Sequence, residues 1–183
     1  MRVPRTIVMQ QYNIKFWQYY LLIILSSWLV GCATPEITKL SEQDYKGVGK
    51  LHKEEYDEII NIVKQHPNQP LNFYVTSIGG TSEDLLDAMD TVHQHGLVNW
   101  YAVDYCDSAC AIMALATHHA YGEFKLHSFY SHKHHQVLAA PEYNERILKK
   151  LNSYGYDTDR IHYMFDSVEQ LWPIIVEDGK IIN

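Results

Sequence analysis

Positive charge is scarce over most of this chain. Arg2, Arg5 and Lys15 fall in the first 31 residues, which hold no acidic residue; beyond them 12 lysines and arginines face 22 aspartates and glutamates, a net charge of −10. That balance argues against nucleic acid, and against adhesion to an anionic lipid surface, because both need a positive stripe to neutralise phosphate. Cysteine is rarer still: three in 183 residues, with no C-x-x-C pair. The spacing argues against a thioredoxin-type redox centre, and no cysteine stands at a zinc-like spacing among the histidines. No internal repeat is visible, nor any low-complexity tract beyond a cluster of histidines. With 46% hydrophobic and 20% charged residues, the composition is that of a globular chain, which argues against wholesale disorder.

The absence of acids near the start acquires a meaning from the neighbouring residues. An apolar segment runs from Phe16 to Val30 and ends in Leu29-Val30-Gly31-Cys32. This basic start, apolar stretch and terminal cysteine resemble the signal peptide and lipobox of bacterial lipoproteins. The resemblance implies that residues 1–31 are removed and that the Cys32 thiol carries a diacylglycerol. The mature chain of about 150 residues is then tethered to a membrane of the cell envelope. Ala33, where an aspartate would retain the protein, implies the outer membrane, facing the periplasm. The alternative is a membrane-spanning helix, for which the apolar stretch is somewhat short. Outside the cytoplasm disulfides persist, and with Cys32 lipidated, Cys106 and Cys110 remain as an even pair. They are either disulfide-bonded, if the Cα separation permits, or two buried thiols.

Residues 32–50 are polar and read as a lipid-anchored tether that ends in a short strand; residues 51–183 read as the folded domain. Leu51, Tyr56, Ile59, Ile60 and Val63 have helical spacing, with acids at 54, 55, 57 and 58 near the helix start. Leu71–Ser77 alternates as a strand, and Gly79-Gly80 ends it. A helix capped by Thr81 or Ser82 carries Leu85, Leu86, Met89 and Val92. Val98–Val103 is the next strand and Ala109–Ala116 a fully buried helix. Phe124–Phe129 is a third strand. Two amphipathic helices come after it, the first marked by Tyr143, Ile147 and Leu151, the second by Ile161, Met164, Phe165, Val168 and Leu171. This alternation predicts an α/β fold: a mostly parallel sheet of right-handed βαβ units with flanking helices.

In such folds, sites form where strands hand over to helices. Two such places carry chemistry here, "SIGG" (77–80) and "CDSAC" (106–110). A serine on a strand-to-helix turn exposes its hydroxyl over the positive helix end. The amide after it and an amide from a glycine loop can together hold an oxyanion. These motifs, 28 residues apart from Gly80 to Ser108, resemble the Clp protease proteolytic subunit and the wider Clp/crotonase-like superfamily. The likeness is greatest to its periplasmic branch with a C-x-S-A-C turn. It implies Ser108 as nucleophile, His127 of "KLHSF" as base, and Ala109 and Gly80 as oxyanion donors, with Gly79 as the close-approach glycine. It gives the carboxylate place to Asp166, with Asp157 and Asp159 in reserve, and requires no cofactor. The chain departs from the family pattern at Ile78, which stands in place of a proline, and in the 19 residues from Ser108 to His127.

The expected function is a lipid-anchored serine hydrolase acting on a peptide or protein. One alternative is a catalytically inactive envelope lipoprotein of the same fold, a binding or scaffold module in which Ser108 is simply a helix N-cap. Another is metal capture by the region from His118 to His135, where six histidines fall within 18 residues. Oligomeric state is not legible in the sequence.

Overall fold

A computed structural model describes residues 36–81, 84–133, 136–165, 172–174, 176–177 and 180–181, all within the unit Pro35–Asn183. The leader, Cys32 and Asp166 lie outside the described residues. Two strands, β3 (Leu71–Ser77) and β4 (Val98–Asp107), form the middle of the main sheet. β3 alternates strictly: Leu71, Phe73, Val75 and Ser77 are buried, while Asn72, Tyr74 and Thr76 are half-buried. On the buried face Tyr45, Phe73 and Trp100 stack across three neighbouring strands, with ring centroids 5.4 and 5.6 Å apart. On the other face Tyr74, Tyr101 and Tyr121 stack at 4.9 Å per step.

The sheet is mixed but mostly parallel. Its order is β1 (Glu36–Lys39), β2 (Asp44–Val48), β3, β4, β6 (Phe124–Leu126) and β9 (Trp172–Ile174), with β5 (His119–Tyr121) also pairing β4. β2–β3, β3–β4, β4–β5 and β4–β6 are parallel; β1–β2 and β6–β9 are antiparallel. Two hairpins stand apart, β7 (Tyr130–Lys133) with β8 (Gln136–Ala139), and β10 (Val176–Glu177) with β11 (Lys180–Ile181).

The helices are α1 (Lys53–Gln65), α2 (Leu85–His95), α3 (Ala109–Ala116), α4 (Pro141–Ser153) and α5 (Thr158–Met164). α3 is apolar throughout, and each of its eight residues is fully buried. Its four alanines let neighbouring elements approach closely, so a rigid central helix begins at the residue after Ser108. Asp90 on α2 accepts hydrogen bonds from Lys150 and from the Tyr154 hydroxyl, tying α2 to the end of α4.

The main expectations of fold hold: Leu71–Ser77 and Ala109–Ala116 have the bounds read from sequence, and the sheet is mostly parallel. Several details differ. The stretch read as a tether, residues 32–50, contributes β1 and β2 to the main sheet from Glu36 onward. β4 runs on to Asp107, so Cys106 lies in the strand rather than after it. α2 begins at Leu85 with Asp84 at its N-cap position; the Thr81 N–H bonds instead to the Leu51 carbonyl at 2.9 Å. The histidine-rich loop contains a hairpin, and the described part of the last helix ends at Met164.

His93 on α2 packs between His118 (5.1 Å) and Tyr154 (3.7 Å), with Nδ1 3.3 Å from the Ala116 carbonyl. Burial pushes its pKa below the ordinary 6.5, and the nearby His118 adds to this. The Ala116 carbonyl and Asp90 pull the other way. A histidine whose folded pKa is depressed binds fewer protons folded than unfolded, so stability is present above pH 6.5 and lost as pH falls below it. In urea melts at pH 7.5 and 5.5, the parent is expected to lose more stability on acidification than His93→Phe. Equal losses would contradict this.

Candidate active site

The site begins with one backbone conformation. Ser108 joins β4 to α3 with φ 56° and ψ −123°, and is the one non-glycine residue with positive φ among the described residues. An L-residue in this region is strained by about 1–3 kcal/mol and persists only where its surroundings hold it. Two constraints hold it here. The Ser108 N–H donates to the Lys125 carbonyl on β6 at 2.8 Å. A disulfide joins Cys106 to Cys110 across the turn, with a Cα separation of 5.2 Å and both residues fully buried. The buried Trp100 indole N–H points at the Cys106 sulfur, 3.5 Å away. Ser108 occupies the N-cap position of α3, yet its side chain makes no capping hydrogen bond. The bond that would define a cap is missing, and the hydroxyl is left to the cavity.

The glycine loop is fitted against this turn. Gly79 has φ +93°, and a Cβ there would stand 2.6 Å from the Ser108 Cβ, 2.9 Å from the Asp107 carbonyl and 3.0 Å from the Ala109 nitrogen. Its own backbone is fully engaged: its N–H donates to Ser77 Oγ at 3.0 Å, and its carbonyl accepts from the Leu51 N–H at 2.9 Å. That leaves Gly80, whose N–H has no acceptor among the described residues. Ala109 is the first residue of α3, so its N–H also lies outside the helical ladder. Both amides assigned to an oxyanion are therefore among those the fold leaves without an acceptor. The buried Ser77, which also donates to the Gly79 carbonyl at 3.3 Å, pins the loop. Sequence reasoning missed its role.

His127 comes directly after β6. Its Nδ1 lies 2.7 Å from the Ser128 carbonyl. A carbonyl can only accept, so Nδ1 carries the hydrogen and the Nε2 lone pair is free to take a proton. The ring stacks on Tyr130 with centroids 5.7 Å apart. Ser108, His127, Gly79 and Gly80 line a single cavity of about 690 Å³, shared with the half-exposed Ile78, with Phe129 and Tyr130, and with Lys50 and His52.

Asp107, immediately before Ser108, has a buried Oδ1 without a hydrogen-bond partner among the described residues. Burial pushes its carboxyl up, against the pull of Lys125 and His127. Asp157 and Asp159 are exposed and do not line the cavity. Of the histidine-rich region, His118 stacks on His93, His119 lies in β5 and His127 lines the cavity, while His134 and His135 lie outside the described residues. Among the described residues no group of three or more histidines, cysteines or carboxylates could hold a metal ion, and no helix is long and apolar enough to cross a membrane.

No family model matches this chain, and no curated protein matches it closely enough to count as a relative. Solved structures do resemble it. The ClpP protease catalytic domain from Plasmodium falciparum superposes with a TM-score of 0.50 at 11% identity, covering 73% of this chain and 75% of that one. A mutant of ClpP1 from Listeria monocytogenes gives 0.51 at 15% identity, covering 78% and 92%. The fold is Clp protease-like. At such identities the likeness is one of chain path, so the chemistry of this Clp-like chain is argued from its own residues.

The disulfide closes a short loop around the strained turn. Removing it in Cys106→Ala/Cys110→Ala is expected to cost about 2 kcal/mol in urea unfolding. It should also slow any reaction at Ser108, because one of the two constraints on its backbone is gone. An unchanged midpoint would contradict this role.

Proposed function

We propose that this chain is a serine hydrolase of Clp-like fold that cleaves peptide or protein substrates from a lipid anchor in the bacterial envelope. The observation that carries this reading is Ser108: a strained, uncapped serine lining a cavity it shares with His127. The Ser108 hydroxyl passes its proton to His127 Nε2 as Oγ attacks the substrate carbonyl. The Gly80 and Ala109 N–H groups stabilise the oxyanion that forms. His127 then returns the proton to the leaving amine, giving an acyl-enzyme that water hydrolyses by the same sequence. No cofactor enters any step. Ile78, Phe129 and Tyr130 give the cavity apolar surface for a side chain flanking the scissile bond.

The anchor is proposed from the leader and Cys32 alone. Cys32→Ser is expected to abolish labelling of the protein by a radioactive fatty acid and to leave residues 1–31 uncleaved. Catalysis is tested with a fluorogenic peptide library and simple aryl esters. The full chain in detergent should turn over at least one of them, and Ser108→Ala should not. Turnover that survives in Ser108→Ala would reject the assignment.

A further inference from the structure

The imidazole that would act as base is held by a chain of contacts that ends on a different helix. His127 Nδ1–H donates to the Ser128 carbonyl, which fixes which ring nitrogen carries the hydrogen. The Ser128 carbonyl can do so only if the 127–129 backbone is itself held. Asn144, buried on α4, grips that segment with both ends of its amide, one on a side chain and one on the backbone. Its Nδ2 donates to Ser128 Oγ at 2.7 Å, and its Oδ1 accepts the Phe129 N–H at 2.9 Å. Ser128 Oγ in turn donates to the Phe129 carbonyl at 3.2 Å, and that carbonyl accepts the Ala140 N–H at 2.7 Å just before α4 begins. Ser128, Phe129 and Asn144 are all buried, so breaking these bonds would leave unpaired polar groups away from water.

We infer that Asn144 is a positioning residue for His127: by clamping Ser128 and Phe129 it aims the Ser128 carbonyl at Nδ1 and so keeps Nε2 as the free, basic nitrogen. This gives a main-chain carbonyl the orienting work that a carboxylate performs in a Ser-His-Asp triad. The inference rests on the proposed catalytic reading only for its effect on rate. Its structural half, the tautomer of His127, can be read without any activity.

The test uses the full chain in detergent with ¹⁵N-labelled histidine. His127 is assigned by comparison with His127→Ala, and its tautomer is read from the imidazole nitrogen shifts. Asn144→Leu keeps the branching at Cγ but removes both hydrogen bonds; Asn144→Asp keeps the acceptor for Phe129 and can accept from the Ser128 hydroxyl. The parent is expected to hold the Nδ1–H form. Asn144→Leu should shift His127 toward the Nε2–H form favoured by free imidazole, and slow fluorophosphonate labelling about tenfold or more. Asn144→Asp should recover the parent tautomer and most of the rate. Should Asn144→Leu not fold, Ser128→Ala, which keeps the Phe129 bond, is expected to show the same tautomer shift in smaller degree. The inference is overturned if the tautomer and labelling rate of Asn144→Leu, or the tautomer of Ser128→Ala, stay as in the parent. It also fails if Asp166→Asn alone shifts the tautomer and abolishes labelling. A parent that never labels but whose tautomer still responds to Asn144→Leu would reject the hydrolase and leave the clamp standing.

Discussion

Replacing Ser108 by glycine is expected to abolish activity and, in the same variant, to raise stability by about 1 kcal/mol. The gain comes from φ 56° at this position. Relief of roughly 1–3 kcal/mol of backbone strain outweighs the roughly 0.4–1 kcal/mol by which glycine loosens the unfolded chain. Ser108→Ala keeps its Cβ and therefore keeps the strain, so its stability should match the parent while its activity is lost. A capping serine would behave in the opposite way. Its alanine variant would lose about 1 kcal/mol, and its glycine variant would lose a few tenths. Urea melts of the parent and the two variants thus separate a strained nucleophile from a helix cap without any substrate.

The second large effect is expected at the glycine loop. A Cβ on Gly80 would lie 1.6 Å from the Leu51 carbonyl oxygen, 2.4 Å from its carbon and 2.8 Å from its nitrogen. All three are main-chain atoms in the bridge that ties the entry of α1 to the loop, and none can swing aside as a side chain could. Gly80→Ala should therefore cost about 4 kcal/mol or more, among the largest single-residue losses, and lower the melting temperature accordingly. Gly79→Ala meets the Ser108 Cβ at 2.6 Å and also forces an L-residue to φ +93°. Its signature is expected at the site: Ser108 is displaced, and labelling should fall about a hundredfold even where enough protein remains folded to assay. Thermal melts and labelling rates of the two variants, read side by side, check this division. A Gly80→Ala protein as stable as the parent would contradict the close packing of Leu51 on the loop.

How much the sequence revealed depended on how local each signal was. Leu71–Ser77 declares itself because a strand with one covered face must alternate. Ala109–Ala116 does so because eight consecutive residues without a strongly polar side chain leave no face for water. The Clp resemblance named Gly79, Gly80, Ser108 and His127 together; they line one cavity because the glycine loop, Ser108 and His127 come after the parallel strands β3, β4 and β6 in turn. β1 and β2 were hidden in what read as a tether. They are short, only Ile37, Tyr45 and Gly47 are buried among their described side chains, and such a thin apolar pattern looks like a linker. α2 starts later than read, at Leu85, and the Thr81 N–H bonds to Leu51, a partner thirty residues away in sequence. Ser77, although part of the "SIGG" motif, and Asn144 gave no signal of their roles. A buried serine or asparagine acquires a role only from the backbone it meets, and Asn144 meets the His127 segment from 15 and 16 residues further along the chain.

The central claim is that Ser108 is an activated nucleophile, and the most direct measurement is reaction of the full chain with a fluorophosphonate probe, then mass spectrometry of the modified peptide. The account predicts a single adduct on Ser108 that vanishes in Ser108→Ala and in His127→Ala, while both variants melt as cooperatively as the parent. A folded parent that takes no label, or takes it on another residue, would contradict the claim and leave only the Clp-like fold standing.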